Sequence, residues 1–280
     1  MHQDTTSAPT GAPDTHDTWA CPTGFDSARL HEAVVAMYEK VARSPRPGAF
    51  HFHVGANYAV QQLGYSAAEL AELPAACTDR FAGVGNPLLA GPVTEGTVVL
   101  DHACGSGTDL LLAARRLGPN GRAIGVDITP GMRTAAQEAS RTMAMDVPVE
   151  ILPGSFDQLP MANGSVDLVL SNGVLNLAPD KLRVLREAWR VLRPGGALYL
   201  ADVVLGRPLA APSRSNAALW AACVGGAMTE AALLDAMVHV GFLVPRIAAR
   251  HDPFSGTSLP WKFGNDIQVA SVTLSAHKPV

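Results

Sequence analysis

Charge is scarce in this chain. Asp, Glu, Lys and Arg make up 16% of the 280 residues, and the formal net charge is −4. Without a basic excess there is no footprint for a phosphate backbone, so nucleic acid is not an expected partner. Long apolar runs are missing too, and no membrane-spanning helix is expected. Residues 1–24 lack the basic start and apolar centre of a secretory signal. The four cysteines, Cys21, Cys77, Cys104 and Cys223, show no C-x-x-C spacing. That argues against a disulfide framework and against a resident metal. With no export signal, reduced thiols in a cytoplasm are expected.

What the chain has is apolar residue, 48% of the total, enough for a buried parallel sheet. At this length it makes one large domain, or one domain with a cap. The organising stretch is Val98-Val99-Leu100-Asp101-His102-Ala103-Cys104-Gly105-Ser106-Gly107-Thr108-Asp109. Three apolar residues lead into an acid, then a glycine turn, then the apolar-periodic run Leu110 to Leu117. Strand, tight loop and helix in that order suit a nucleotide-type ligand. Gly105 and Gly107 let the main chain approach it, and the helix start points unpaired N–H groups at the same place. Asp127 closes the strand-like run Ala123 to Val126, about where a ribose-binding carboxylate belongs. The third glycine of the dinucleotide pattern G-x-G-x-x-G is lacking.

Before that stretch, residues 1–26 are rich in Thr, Asp, Pro, Ser and Gly and read as a disordered tail, within which Trp19 is the one residue suited to docking. Residues 27–96 read as a helical lid, and 97–280 as the catalytic domain. Leu30, Val34, Val35, Met37, Tyr38 and Val41 recur at helical spacing, and Pro45 and Pro47 end that helix. In Phe50-His51-Phe52-His53-Val54-Gly55 an extended backbone puts His51 and His53 on one face. Two imidazoles there are open to three roles: metal ligands, proton acceptors, or hydrogen-bonding groups within the lid. Tyr58, in the apolar stretch that follows, is placed to close over a cofactor. Ser66-Ala67-Ala68-Glu69 has capping-box spacing. Strands are expected at 97–101, 123–127, 149–152, 166–171 and 197–203, with helices near 108–117, 130–142, 180–192 and 229–239. Alternation of this kind forces parallel crossovers and a sheet covered on both faces. Val244 to Ala249 and Ile267 to Ser275 read as two further strands.

The glycine turn resembles the first motif of class I S-adenosylmethionine (SAM) methyltransferases, D-x-G-C-G-x-G, with Ala103 in place of the first glycine. The likeness continues in Gly125-Val126-Asp127-Ile128-Thr129-Pro130-Gly131-Met132, in Gly154-Ser155-Phe156-Asp157-Gln158-Leu159-Pro160 and in Arg190-Val191-Leu192-Arg193-Pro194-Gly195-Gly196. The resemblance implies an α/β, Rossmann-like fold: a seven-stranded, mostly parallel sheet with an antiparallel C-terminal strand and an N-terminal helical lid. It implies SAM as cofactor, S-adenosylhomocysteine as product and a small molecule as substrate. By the same resemblance Asp101, Gly105 and Gly107 surround the methionine part, and Asp109 reaches its ammonium. Asp127 takes both ribose hydroxyls, Ile128 and Met132 sandwich the adenine, and Ser155 and Phe156 read its edge. Asn172 meets the methyl-donor end.

A narrower resemblance runs through Phe81-Ala82-Gly83-Val84-Gly85-Asn86-Pro87, Ser171-Asn172-Gly173-Val174-Leu175-Asn176-Leu177-Ala178-Pro179-Asp180-Lys181 and Leu219-Trp220-Ala221-Ala222-Cys223-Val224-Gly225-Gly226-Ala227. These strings are similar to arsenite methyltransferases, which hold trivalent arsenic by cysteine thiolates. Here the family's loop cysteine is Val84 and the one after the fourth strand is Gly173; only Cys223 matches. The expected function is therefore methyl transfer to a different small molecule, organic in character. The alternatives are arsenite methylation with displaced thiols and a non-catalytic SAM-binding protein. Where the acceptor carries a proton a base is needed, and His51, His53 and then Asp202 are the candidates. The oligomeric state stays open.

Overall fold

The computed structural model describes residues 18–22, 26–46, 52–216, 219–220, 223–256 and 267–280. The lid comes first. Helix α1 (Ser27–Arg43) starts where Asp26 accepts the Arg29 N–H at 3.0 Å, and its buried face carries Leu30, Val34, Val41 and Ala42. Three shorter helices follow: α2 (Ala56–Leu63), α3 (Ala67–Ala71) and α4 (Ala75–Thr78). Ser66 caps α3 by accepting the Glu69 N–H, as its spacing predicts. These helices share one core with the sheet: Tyr58, Leu63, Tyr65, Leu70 and Cys77 pack with Val99, Leu110, Leu111 and Leu117. The lid is thus continuous with the domain behind it.

The sheet then alternates with helices: β1 (Val98–Asp101), α5 (Thr108–Ala114), β2 (Arg122–Asp127), α6 (Pro130–Thr142), β3 (Val149–Pro153), β4 (Val166–Asn172), α7 (Lys181–Val191) and β5 (Leu192–Leu205). After the short helix α8 (Ala211–Arg214) come β6 (Met228–Thr229), α9 (Glu230–Val240), β7 (Arg246–His251) and β8 (Val269–His277). Strand order is β3-β2-β1-β4-β5-β8-β7, with β6 paired to the end of β5. All pairings are parallel except those of β8, which runs antiparallel to both neighbours. The sheet is the mostly parallel one expected, with an eighth strand where seven were anticipated. That extra strand is the two-residue β6, too short to leave a periodic signal.

One face of the sheet is covered by α7 and α9, through Val184, Leu185, Ala188, Leu233 and Met237. The other is covered by α5 and the lid. Part of the stretch read as a tail is folded: Trp19 is buried, and its indole N–H donates to Ala232 O at 3.0 Å. Cys21 N–H donates to Pro179 O and Lys181 N–H to Trp19 O, so the segment lies beside the start of α7. An indole with its N–H satisfied repays docking in buried area. Residues 1–17 and 23–25 lie outside the described residues. Among the described residues no helix is long and apolar enough to cross a membrane.

Candidate active site

The carboxyl ends of β1, β2 and β4 open into a cleft, the place where open α/β sheets take ligands. Its floor is the glycine loop after β1. Gly105, at φ +52, faces open space: a Cβ built on it meets nothing within 4 Å. Its N–H donates to Asp127 Oδ2 at 2.8 Å, while Thr129 N–H donates to Asp127 Oδ1 at 2.8 Å. Two backbone donors therefore lock the Asp127 carboxylate at the end of β2, leaving its other lone pairs for a ligand. Burial pushes its pKa up, against the pull of those two N–H groups. Gly107, at φ +94, turns away; its Cβ would sit 3.2 Å from Ala136 Cβ, so it closes the loop onto α6 rather than lining the cleft.

Asp101 and Asp109 add two more buried carboxyls. Asp109 accepts the Tyr65 hydroxyl at 2.5 Å and the Asn172 amide at 2.8 Å. Burial lifts its pKa to about 6 in spite of those bonds, and it lifts Asp101 well above the carboxylate range, helped by the neighbouring Asp109. Among the described residues no salt bridge reaches either acid. A cationic amino-acid ligand fits such a place. SAM, with an ammonium, a sulfonium, a ribose and an adenine, matches these acids and the apolar walls of Ile128, Met132 and Phe156 that also line the cleft. Ser155 does not line it; its hydroxyl is 2.5 Å from Asp157 Oδ1, in an adjoining surface groove shared with Ile128 and Phe156.

A pH dependence follows. Below its raised pKa, Asp109 must lose a proton before it can meet an ammonium. SAM affinity should fall as pH drops through 6, to about one tenth at pH 5 of its value at pH 7, and be level above. Titration calorimetry across that range measures it.

Of the residues proposed for catalysis from sequence, the described ones, His53, Asp202 and Cys223, do not line the cleft themselves. His53 Nε2 is 2.8 Å from Ser255 O, and its ring lies 4.9 Å from that of Tyr58, outside the cleft lining. His51 lies outside the described residues. Tyr58 is buried between His53 and Phe81 and also misses the cleft. Asp202 is sealed at 1% exposure, taken up by Asn176 Nδ2 at 2.8 Å and Val203 N–H at 2.7 Å. Cys223 is buried at φ +61 with Sγ 3.4 Å from Gly173 O, and burial pushes its thiol up, away from the reactive thiolate. Placed by residue type, these four were not placed by burial.

Two cleft residues went unnoticed in the sequence. Tyr38 sits one turn beyond Val34 on α1 and lines the cleft with it, a pairing that helical spacing implies. His102 is 2% exposed, and neither ring nitrogen has a partner among the described residues. Burial drags its pKa down to about 4, so the ring is neutral.

Lys181 lies fully buried behind this wall, donating to Ala178 O at 2.8 Å and standing 4.2 Å from the Trp220 ring centroid. Burial lowers its pKa to about 7. Unfolded, a lysine titrates near 10.4, so above 7 the unfolded chain binds the extra proton and stability rises with pH. Relative to Lys181→Met, the protein should gain on the order of 2 kcal/mol between pH 7.5 and 9.5 in denaturant unfolding.

Residues 93–244 match the family model described as a methyltransferase domain. An arsenite methyltransferase of Halobacterium salinarum is 37% identical over 78% of this chain and 56% of its own length. The human arsenite methyltransferase is 34% identical over 60% of this chain and 46% of its own. The chain thus spans about half the length of the curated relatives it matches. Among solved structures, an arsenic(III) S-adenosylmethionine methyltransferase from Chlamydomonas reinhardtii superposes with TM-score 0.69 at 32% identity, covering 76% of this chain and 73% of that one. A 4+2 cyclase covers 93% of this chain and 99% of its own at TM-score 0.60 but 19% identity, a likeness of fold alone. With its motifs, sheet order and acid-lined cleft, the chain belongs to the class I SAM-dependent methyltransferases, close to the arsenite methyltransferases.

Proposed function

We propose that this protein transfers a methyl group from SAM to a small, carbon-rich organic acceptor. The observation that carries this is at the methyl-donor end of the cleft. The positions of the family's arsenic-binding cysteines converge in space here: a Cβ on Gly173 would lie 3.5 Å from Val84 Cγ1 and Cγ2, and Cys223 Sγ is 3.4 Å from Gly173 O. The constellation is kept and the thiols are not. One buried, protonated thiol does not chelate a thiophilic element, whereas Val84 makes the wall apolar.

SAM supplies an electrophilic methyl on a sulfonium. The protein's part is to orient and dehydrate: Asp127 takes the ribose, Asp101 and the Gly105 loop border the methionine part, and Asp109 meets the ammonium. Gly173, Val174 and Tyr38 wall the acceptor end. The cleft histidine, His102, is pushed down to about 4 by burial, and Asp109, lifted to about 6, is already hydrogen-bonded. That favours an acceptor whose nucleophile needs little help.

The second reading, arsenite methylation, is favoured by the names of the relatives. Isothermal titration with phenylarsine oxide separates the two. The expected result is no tight binding, with Cys223→Ser unchanged; tight binding lost in Cys223→Ser would overturn the organic reading.

A further inference from the structure

The Asn172 side chain sits between the two halves of the cleft. Its Nδ2 donates to Asp109 Oδ2 at 2.8 Å and to Gly85 O at 2.9 Å. Its Oδ1 accepts the N–H of Val84 at 2.9 Å and of Gly85 at 3.2 Å. The Tyr65 hydroxyl closes the ring, 2.5 Å from Asp109 Oδ1 and 3.1 Å from Gly85 O. The loop backbone rides directly on the amide: a Cβ on Gly83 would fall 2.3 Å from Asn172 Nδ2. One side chain thus ties the carboxylate suited to the cofactor's ammonium to the loop that carries Val84.

We propose that Asn172 is a positioning residue that couples the cofactor's ammonium to the acceptor wall, so that filling the amino-acid end of the cleft tightens the Val84–Gly85 loop. The physical step is the charge on Asp109. An ammonium beside it holds the carboxylate ionised, and ionised acceptors form shorter, stronger hydrogen bonds to Asn172 and Tyr65. The groups facing Asp109 are Asp101, Tyr65 and Asn172. A firmer grip on Asn172 Nδ2 fixes its Oδ1 under the two loop N–H groups. By linkage the acceptor then gains affinity from the cofactor by the factor the cofactor gains from it. Val84 belongs to the acceptor end only under the function proposed above.

Amide hydrogen exchange at Val84 and Gly85 tests this, with two probes and no acceptor, so the coupling and the acceptor reading fail separately. S-adenosylhomocysteine carries the ammonium; 5′-methylthioadenosine keeps the nucleoside and lacks it. At pH 5, below the raised pKa of about 6 of Asp109, saturating S-adenosylhomocysteine should slow both amides by about tenfold or more, and saturating 5′-methylthioadenosine should leave them unchanged. In Asn172→Ala, S-adenosylhomocysteine should bind without the slowing. Asp109→Asn, close in shape but uncharged, should bind S-adenosylhomocysteine more weakly and, once saturated, show no slowing; it serves where Asn172→Ala does not fold. Equal slowing by the two probes, no slowing by bound S-adenosylhomocysteine, or slowing that persists in either variant would overturn the coupling.

Discussion

Replacing Asp127 with alanine should weaken SAM binding by about ten- to a hundredfold, the worth of a charge-assisted, two-pronged contact of roughly 1.5–3 kcal/mol. The acid at the end of β2 is 7% exposed and already fixed by the N–H groups of Gly105 and Thr129. A ribose binding there would therefore meet a carboxylate that is already ordered. The alanine variant also strands those two donors, and about 1–3 kcal/mol of stability should go with each that finds no water. Calorimetry on the folded variant separates the two effects. Unchanged SAM affinity would remove Asp127 from the cofactor site.

The other large effect is a gain. Val84→Cys combined with Gly173→Cys adds two thiols beside the existing Cys223, making three where the family carries them. Trivalent arsenic should then bind at least a hundredfold more tightly than in the parent, which offers it one thiol, since soft thiolates chelate a soft element. Gly173 stands at φ +70, so its substitution costs about 1–3 kcal/mol of backbone strain, and the variant should melt lower. Contact with Val84 at 3.5 Å is ordinary van der Waals distance, so there is room for the new side chain. A double variant that folds and binds arsenic no better than the parent would show that the three positions do not form one site.

The parts of this molecule legible in sequence are those fixed by local pattern. Buried parallel strands are apolar runs, and β1, β2, β3 and β4 fall within a residue or two of the ranges read from those runs. The Ser66–Glu69 cap follows from a hydroxyl placed to accept an unpaired backbone N–H at a helix start, which few residues supply. The glycine loop and the two strand-end acids were legible because their chemistry sits within one βαβ unit. Tertiary partners were not. Asp202 looks like a free acid until Asn176, 26 residues earlier, takes its carboxylate. His53 looks catalytic until Ser255, 202 residues away, meets its ring. Trp19 was read as suited to docking, but its polar stretch did not name the partner, a carbonyl 213 residues later that takes its N–H. Strand β5 begins at Leu192 rather than 197, because Leu192 pairs with Val166 before an irregularity in the ladder, and a proline and two glycines mask that start.

The most direct measurement of the proposed function is turnover itself. The purified protein, incubated with SAM and a panel of small organic nucleophiles alongside trivalent arsenic, should release S-adenosylhomocysteine with one or more organic acceptors and little or none with arsenic. Robust methylated arsenic, lost in Cys223→Ser, with no organic acceptor turned over, would contradict it.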